Sequence, residues 1–436
     1  MRKYLYTLIT LLLVPVLVNA ETLEYNICKS GCEYSEFETV MDILQEMNDN
    51  NEFNGQDIII NFKDNNEYTL GNNDNVKNYG INASGVSNID RINSFTINGN
   101  NNIIKHFALQ IDANKIDISN LSLINISTSQ ENFSLIFLGN EVKINNIKKD
   151  NIENNEDMSL QHIDNNLHLT MIYADNLEIN NSNAEYIMFS TLDSLGLSEK
   201  SSATISDSNI VVYINGCKNT QINNSNFFMI SNNGIVNIYN TKLSLLSNYN
   251  FSSNDNEVKA DCYNCDFYKN IKYSKLSENE ANNQFPSEEN VFQYGGVVDL
   301  YGREELKDKV NSYIHFDEEK TLKVGETMNL LELFKYRTGS EISWQLDNEG
   351  IVNIDNELIK GIKEGLVTIS ATTDEGHIIY NLKLIVEKET IPEKIDKMTI
   401  KVPITGSKIK AWVVVVSVAL LGVIGTCSYM LIRRKK

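Results

Sequence analysis

Five cysteines outside the C-terminal apolar run carry the clearest chemistry in this sequence. Cys28 and Cys32 flank a glycine turn, an arrangement that can close a small disulfide loop in an exported protein. Cys262 and Cys265 have the CxxC spacing of a redox motif or of half a zinc site. No thioredoxin-like pattern surrounds that pair, and the sequence contains no second metal-spaced pair. The sequence therefore favours a local disulfide, a disulfide between successive repeats that can include Cys217, or buried thiols, with one cysteine left over.

Carboxylates and histidines are the other residue types that could do chemistry. Hydrolysis of a glycoside needs two carboxylates about 5 to 9.5 Å apart, and an acidic-polysaccharide lyase needs a base and cations beside the uronate. The candidate catalytic residues are scattered along the chain with no regular spacing. They are Arg91, His106, His162, Asp164, His168 and Asp193. We predict a non-enzymatic protein with no metal and no cofactor. A surface polysaccharide lyase or glycoside hydrolase is the alternative.

A short motif, an apolar run and a basic tail end the chain. The motif consists of Val402, Pro403, Ile404, Thr405 and Gly406, and it precedes an apolar run, 411–432, and four basic residues, 433–436. A run of that length spans a bilayer, and its basic tail is expected on the cytoplasmic side. The arrangement resembles a Gram-positive cell-wall sorting signal, with Val402 in place of the usual Leu.

The resemblance implies a transfer reaction at this motif. A sortase cysteine attacks the carbonyl of Thr405, Gly406 leaves, and Thr405 is joined to an amine of the peptidoglycan. A permanent membrane anchor is the alternative reading of the same segment. Triplets such as Asn82–Ser84 also fit the N-glycosylation sites of a eukaryotic surface protein.

The N-terminus and the charge balance indicate export. Residues 1–20 combine a basic start with an apolar run, and short residues precede the bond between Ala20 and Glu21. We therefore predict a signal peptide over residues 1–20, cleaved at that bond. The formal charge is −20, and because residues 1–20 and 406–436 contribute eight positive charges, residues 21–405 carry −28. This charge argues against nucleic acid as a partner, since phosphates are bound by clustered Lys and Arg.

One phrase recurs between residues 97 and 270: an apolar anchor, one residue, then Asn, Asp or Gly. The anchors are Ile97, Ile118, Ile144, Ile179, Ile205, Ile222 and Ile238, with Cys262 as a weaker copy. Asn, Asp and Gly tolerate a left-handed backbone. A loose repeat of roughly twenty residues with short β-rich pieces predicts a parallel β-helix, in which each rung buries its apolar side chains against its neighbours. The wide spacing after Asn146 predicts a projecting loop around 151–157 as a binding face.

The segment after the signal peptide predicts a cap for this solenoid. Residues 36–47 have helical spacing, with Phe37, Val40 and Leu44 among the apolar positions. Residues 58–62 then read as the first full strand. This start resembles the amphipathic helix that caps pectate-lyase-like β-helices, and a cap is needed because an open rung is an aggregation edge. We predict a capped parallel β-helix over residues 21–270.

The pattern changes twice more before the sorting signal. Residues 271–311 read as a charged, partly helical connector, and short strands between turn residues predict an all-β sandwich over 312–388. The features Val324-Gly-Glu326, Trp344, Ile359-Lys-Gly361 and Thr368–Ala371 resemble the bacterial group 2 Ig-like family. The resemblance implies a spacer or adhesive module. Residues 389–401 read as a linker to the sorting signal, 402–436.

These segments predict an all-β protein: a parallel β-helix solenoid, an Ig-like β-sandwich and a C-terminal transmembrane helix. We expect a Gram-positive surface protein with an adhesin-like binding or structural role. Its expected partners are the sortase and peptidoglycan at the C-terminus, the membrane through 411–432, and a host or glycan ligand.

Overall fold

The computed structural model describes residues 21–388 except 72–75, 82–91, 125–132, 150–168, 191–200, 251–255, 268–270, 272, 285–295, 331–341 and 374–376. The predicted signal peptide, projecting loop, linker and sorting signal therefore lie outside the described residues. Within the described part of the chain, no helix has the length and hydropathy to cross a membrane. The predicted span at 411–432 is not among the residues that were described.

Strands dominate the described residues. The first group is β1 Thr22–Ile27, β2 Gln56–Phe62, β3 Glu67–Thr69, β4 Lys77–Ile81, β5 Ile92–Lys105, β6 Phe107–Asp112, β7 Lys115–Ile124, β8 Phe133–Lys149, β9 Leu169–Asn180, β10 Asn183–Ser190, β11 Ser202–Ser206, β12 Asn209–Gly216, β13 Asn219–Asn223, β14 Asn226–Asn232, β15 Ile235–Tyr239, β16 Lys242–Asn250, β17 Val258–Tyr263, β18 Asp266–Phe267, β19 Tyr273–Ser277, β20 Gly296–Tyr301 and β21 Val310–Lys323. The second group is β22 Thr327–Asn329, β23 Ile342–Leu346, β24 Val352–Asp355, β25 Leu358–Gly361, β26 Gly365–Thr373 and β27 Ile378–Glu387. The described helices are α1 Phe37–Asp49, α2 Glu278–Gln284 and a 3-10 helix, Glu304–Lys309.

The anchor residues stack in one parallel sheet, which we call the anchor sheet. It contains β1, β2, β5, β7, β8, β9, β11, β13, β15, β17 and β21, each parallel to the next. In register, one buried file runs through Ile60, Ile97, Ile118, Ile144, Ile179, Ile205, Ile222, Ile238, Cys262 and Ile314. The prediction of an all-β, solenoid-like fold with a large parallel sheet is confirmed.

A left-handed residue turns the chain two positions after most of the anchors. The residues Asn120, Asn146, Asn181, Asp207, Asn224, Asn240 and Asn264 all have φ between 47° and 56°. Several of these amides form a ladder, with 2.8 Å from Asn146 Nδ2 to Asn120 Oδ1 and 3.2 Å from Asn181 Nδ2 to Asn146 Oδ1. Asn and Asp occupy this conformation at a lower cost than other non-glycine residues. The turn thus explains the Asn or Asp found two positions after these anchors. After Ile97 the left-handed residues are Asn100 and Asn101, and Gly99 is not left-handed.

A second column of parallel strands closes the solenoid opposite the anchor sheet. It runs through β4, β6, β8, β9, β10, β12, β14, β16, β20 and β19. Its interior contains a fully buried amide file, with 2.8 Å between Asn215 and Asn232 and 2.8 Å between Asn232 and Asn248. Each amide bonds to the next rung, so the buried polar groups are satisfied. Most of the remaining interior is apolar, although some polar side chains such as His106 and Asp299 are also buried.

A helix forms at the position predicted for the cap. α1 buries Phe37, Val40, Met41 and Leu44. The Phe37 ring contacts the rings of Phe62 and Phe107 at centroid distances of 5.3 Å and 5.2 Å. The helix thus covers the apolar end of the first rungs, which would otherwise be open to water.

The structure ends the solenoid later than the predicted boundary at residue 270. β20 pairs in parallel with β16, and β21 pairs in parallel with β17 as far as His315. The segment predicted as a connector therefore supplies rung strands. The phrase is lost there because His315 and Phe316, rather than Asn, follow the anchor Ile314.

β21 continues from the last rung into a second all-β unit. Its C-terminal part pairs in parallel with β27, which pairs with β26, and β26 pairs with β23. A separate antiparallel sheet joins β22, β25 and β24. Side chains of both sheets form one core, with Ile359, Ile369 and Leu384 fully buried. Trp344, one of the features that resemble the Ig-like family, is half-buried and packs against this core.

We expect Asn224→Ala to lower the free energy of unfolding by about 1 to 2 kcal/mol. In the left-handed conformation the Cβ of alanine lies too close to the following carbonyl oxygen. Asn224 has φ 47°. The matched variant Asn224→Gly keeps the turn and loses only the amide contact with Asn240, so it is expected to be more stable than the alanine variant. Urea unfolding of both variants measures which of the two is more stable. An alanine variant as stable as the glycine variant would contradict this explanation of the turn.

Candidate binding surface on the anchor sheet

Alternation along each anchor strand places every second side chain on the outer face of the solenoid. On the last three strands of the anchor sheet, register brings Tyr239, Tyr263 and His315 into one outward file, which we call the aromatic row. The rings of Tyr239 and Tyr263 stack at 5.1 Å with planes 9° apart, and those of Tyr263 and His315 stack at 4.3 Å with planes 10° apart. The rung spacing of roughly 4.8 Å matches a stacking distance, so the fold itself aligns these rings.

Charged groups flank the aromatic row on the same face. The Nζ of Lys259 lies 2.8 Å from Asp261 Oδ2, and Nε2 of His315 lies 3.4 Å from Asp261 Oδ1. Burial alone would raise the pKa of Asp261, but hydrogen bonds from His315 and Lys259 outweigh burial and hold that pKa below its usual range. Lys259 also lies over the ring of Tyr313, 5.1 Å from its centroid. The groups beside the row therefore form a connected polar cluster.

Earlier rungs show a different outer face. On those rungs, the positions in line with the aromatic row hold small polar side chains. For example, Asn98 Nδ2 donates a hydrogen bond to Asn61 Oδ1 at 2.7 Å. Alternating charges pair across rungs, with 3.5 Å from Lys115 to Glu141 and 3.2 Å from Lys143 to Glu178. These exposed ion pairs contribute little to stability. The change from small polar to aromatic side chains thus distinguishes the C-terminal rungs.

The aromatic row presents ring edges rather than ring faces. Since successive rings cover one another, the half-buried Tyr and His side chains offer their edges and polar atoms to a ligand. Tyr combines a rigid apolar body with a hydroxyl group that hydrogen-bonds, and it is enriched at binding surfaces. With Lys259 and Asp261 alongside, the face offers both donors and acceptors. This arrangement is suited to holding a polar ligand along the solenoid axis.

The sequence interpretation missed the aromatic row, although the repeats contain its signal. The middle residue of the phrase is Asn or Ser in earlier copies, and it becomes Tyr in Ile238-Tyr-Asn240 and Cys262-Tyr-Asn264. His315 follows the anchor Ile314 in the same position. Only the register between distant repeats shows that the three rings stack.

The predicted catalytic candidates are not brought together by the described structure. His106 is buried in the solenoid with φ 56°. Arg91, His162, Asp164, His168 and Asp193 lie outside the described residues. Among the residues that are described, no three His, Cys, Asp or Glu side chains are grouped to hold a metal ion. An interior void of about 10 Å³ is lined by apolar side chains, including Ile97 and Phe137, and offers a ligand no polar partner.

The structure distinguishes among the cysteine pairings that the sequence left open. Cys28 is bonded to Cys32, and Cys262 is bonded to Cys265. Cys217 is a buried free thiol, and burial raises its pKa to about 12. A thiol with so high a pKa is not a nucleophile at neutral pH. Both bonded pairs are local, and the second lies directly beneath the aromatic row.

Register and burial define this chain as an all-β protein of the parallel solenoid class. No protein-family model matches it, and no curated protein matches it. Among solved structures, the chain is similar to the functional domain of InlJ from Listeria monocytogenes, described as including a cysteine ladder. The identity is 10%, the match covers 69% of each chain, and the TM-score is 0.21.

Proposed function

We propose that this chain is an exported surface protein of a Gram-positive bacterium that binds a glycan ligand through the aromatic row. The observation that carries the proposal is the stack of Tyr239, Tyr263 and His315 in a file whose earlier positions hold small polar side chains. Hydroxyl, imidazole, carboxylate and ammonium groups in one file suit the many hydroxyl groups of a sugar chain. The role is adhesin-like, since a flat face binds without enclosing its ligand.

In this proposal, the other segments of the chain direct its secretion and attach it to the cell surface. Residues 1–20 direct secretion, and residues 402–436 act as the sorting signal for a sortase that joins Thr405 to peptidoglycan. The two-sheet unit after the solenoid serves as a bacterial Ig-like spacer between the wall and the binding face. The continuity of β21 from the last rung into that unit supports the idea of a stiff connection.

We expect Tyr263→Ala to weaken glycan binding by about thirtyfold, because a central aromatic side chain typically contributes roughly 2 kcal/mol to binding. The probe is an immobilised array of host and plant polysaccharides. Binding of the purified extracellular chain, residues 21–401, to this array is measured for parent and variant. The matched control is Gln221→Ala, an exposed residue of the same face on an earlier rung. Its binding should equal that of the parent.

Thermal unfolding separates lost contact from lost fold. The stacked ring of Tyr263 contributes about 0.5 to 1.5 kcal/mol per aromatic pair, so the variant should remain folded. Equal glycan binding by the parent and Tyr263→Ala would refute the aromatic row as the binding site. Shortened oligosaccharides released from a bound polysaccharide would instead establish the lyase or hydrolase alternative.

A further inference from the structure

A file of buried hydroxyl groups, which we call the hydroxyl ladder, follows the turns of the anchor strands. Its members stand three residues after successive anchors, and they are Ser182, Ser208, Ser225 and Thr241. The Ser208 hydroxyl oxygen accepts a hydrogen bond from the backbone N–H of Ser182 at 3.1 Å. The Ser225 hydroxyl oxygen accepts from the N–H of Ser208, also at 3.1 Å. The ladder therefore links each turn to the turn of the next rung.

The same hydroxyl groups hold the backbone of the outward file that contains the aromatic row. Each one donates to the carbonyl oxygen two residues earlier, which belongs to the middle residue of the phrase. The donor–acceptor distances are 2.7 Å from Ser208 to Ser206, 2.7 Å from Ser225 to Asn223, and 2.9 Å from Thr241 to Tyr239. Register places these three acceptor residues in one file. The first ring of the aromatic row, Tyr239, is thus held in place through Thr241.

The rung of Tyr263 has no hydroxyl group at the equivalent position. Cys265 stands three residues after the anchor there, and the anchor itself is Cys262, whose register partners on both neighbouring strands are isoleucines. The disulfide between Cys262 and Cys265 joins the residue before Tyr263 to the residue that follows the turn. A covalent ring of four residues therefore encloses Tyr263 and the left-handed Asn264, which has φ 55°.

The strand that follows this turn gives the turn little support. As far as the residues are described, β18 has two register pairs with β16. In the preceding rung, β16 has six register pairs with β14. Each register pair contributes to a ladder of hydrogen bonds between parallel strands, so a short strand holds the preceding turn less firmly. A disulfide that closes a short loop supplies a constraint of another kind, because it limits the conformations open to the enclosed residues.

We propose that the disulfide between Cys262 and Cys265 positions Tyr263 in the aromatic row, in place of the hydroxyl group that positions Tyr239. Both cysteines are positioning residues, since their side chains are buried in the solenoid core and do not reach the outer face. Tyr263 is the middle ring and stacks on both of the others, so a shift of its backbone separates both ring pairs. The effect on glycan binding rests on the proposed function, whereas the effect on the backbone does not.

Two double variants that differ by one oxygen atom test this role. Cys262→Ile/Cys265→Ser removes the disulfide and restores both the isoleucine anchor and the hydroxyl group, whereas Cys262→Ile/Cys265→Ala restores the anchor alone. Hydrogen–deuterium exchange with mass spectrometry measures the backbone amides of Asn264 and Asp266, which donate to neighbouring rungs at 3.0 Å and 2.9 Å in the parent. We expect the serine variant to exchange like the parent. The alanine variant should exchange roughly fivefold faster, the factor that one typical hydrogen bond corresponds to.

Glycan binding by the same proteins connects the backbone to the aromatic row. On the polysaccharide array the serine variant should bind like the parent, and the alanine variant should bind more weakly, by less than the loss expected for Tyr263→Ala. Cys28→Ala/Cys32→Ala is the control for the loss of a disulfide, because it removes the bond at the other end of the solenoid. It should change neither glycan binding nor exchange at Asn264 and Asp266.

The exchange measurement decides the proposal whether or not a glycan binds. An alanine variant that exchanges like the parent would overturn the positioning role of the disulfide. Equally fast exchange in the serine and alanine variants would overturn the claim that the disulfide stands in place of the hydroxyl group. Exchange that separates the two variants, in a protein whose parent form binds no glycan, would leave the positioning role standing and refute the proposed glycan function.

Discussion

Ile222→Asp is expected to unfold the middle of the solenoid. Ile222 is fully buried, and register places it between Ile205 and Ile238 in the anchor file. A carboxyl group without a partner in that position costs several kcal/mol. A typical folded domain is stable by only about 5 to 15 kcal/mol, so the loss is a large share of the total. Because each rung is stabilised by its neighbours, the defect spreads to adjacent rungs.

A matched variant separates charge burial from simple loss of volume. Ile222→Val removes one methylene group and is expected to cost about 0.5 to 1.5 kcal/mol. Circular dichroism during heating measures both proteins, with a large fall in melting temperature for the aspartate variant and a small one for valine. An aspartate variant that melts with the parent would show that the anchor file is not a core.

Thr405→Ala is expected to abolish covalent attachment to the cell wall without reducing secretion. In the proposed reaction Thr405 carries the acyl group, and Pro403 sets the bend of the motif through its fixed φ. Without transfer, the chain should remain in the membrane fraction and still contain residues 406–436. Gly406→Ala should give the same result, because it alters the leaving side.

Fractionation of cells after enzymatic digestion of the wall measures this effect. We expect the wall-linked fraction to fall from most of the protein to almost none. Ser407→Ala, one residue beyond the motif, is the matched control and should be sorted normally. Wall attachment that persists in Thr405→Ala would exclude Thr405 as the acyl donor.

Local chemistry made much of the solenoid predictable. An anchor such as Ile144 and the turn residue Asn146 lie close in sequence, so periodicity and backbone preference together indicate a rung. The cap helix could also be predicted from a short stretch of sequence, because its buried positions recur at helical spacing. In each case one short stretch of sequence contains the whole signal.

Contacts between distant segments could not be predicted in this way. The aromatic row depends on register between strands as far apart in sequence as β15 and β21, and a slip of one residue would turn its side chains inward. The hydroxyl ladder depends on register in the same way, because each hydroxyl group accepts from a backbone N–H of the preceding rung. The solenoid end was misplaced because its last anchor, Ile314, lacks the turn asparagine.

The most direct test of the account as a whole is mass spectrometry of both ends of the native protein released from purified cell walls. An exported and sorted surface protein should begin at Glu21 and end at Thr405, with a peptidoglycan fragment joined to the threonine. A protein that retains Met1, or one that ends at Lys436 and is extracted by detergent alone, would contradict it.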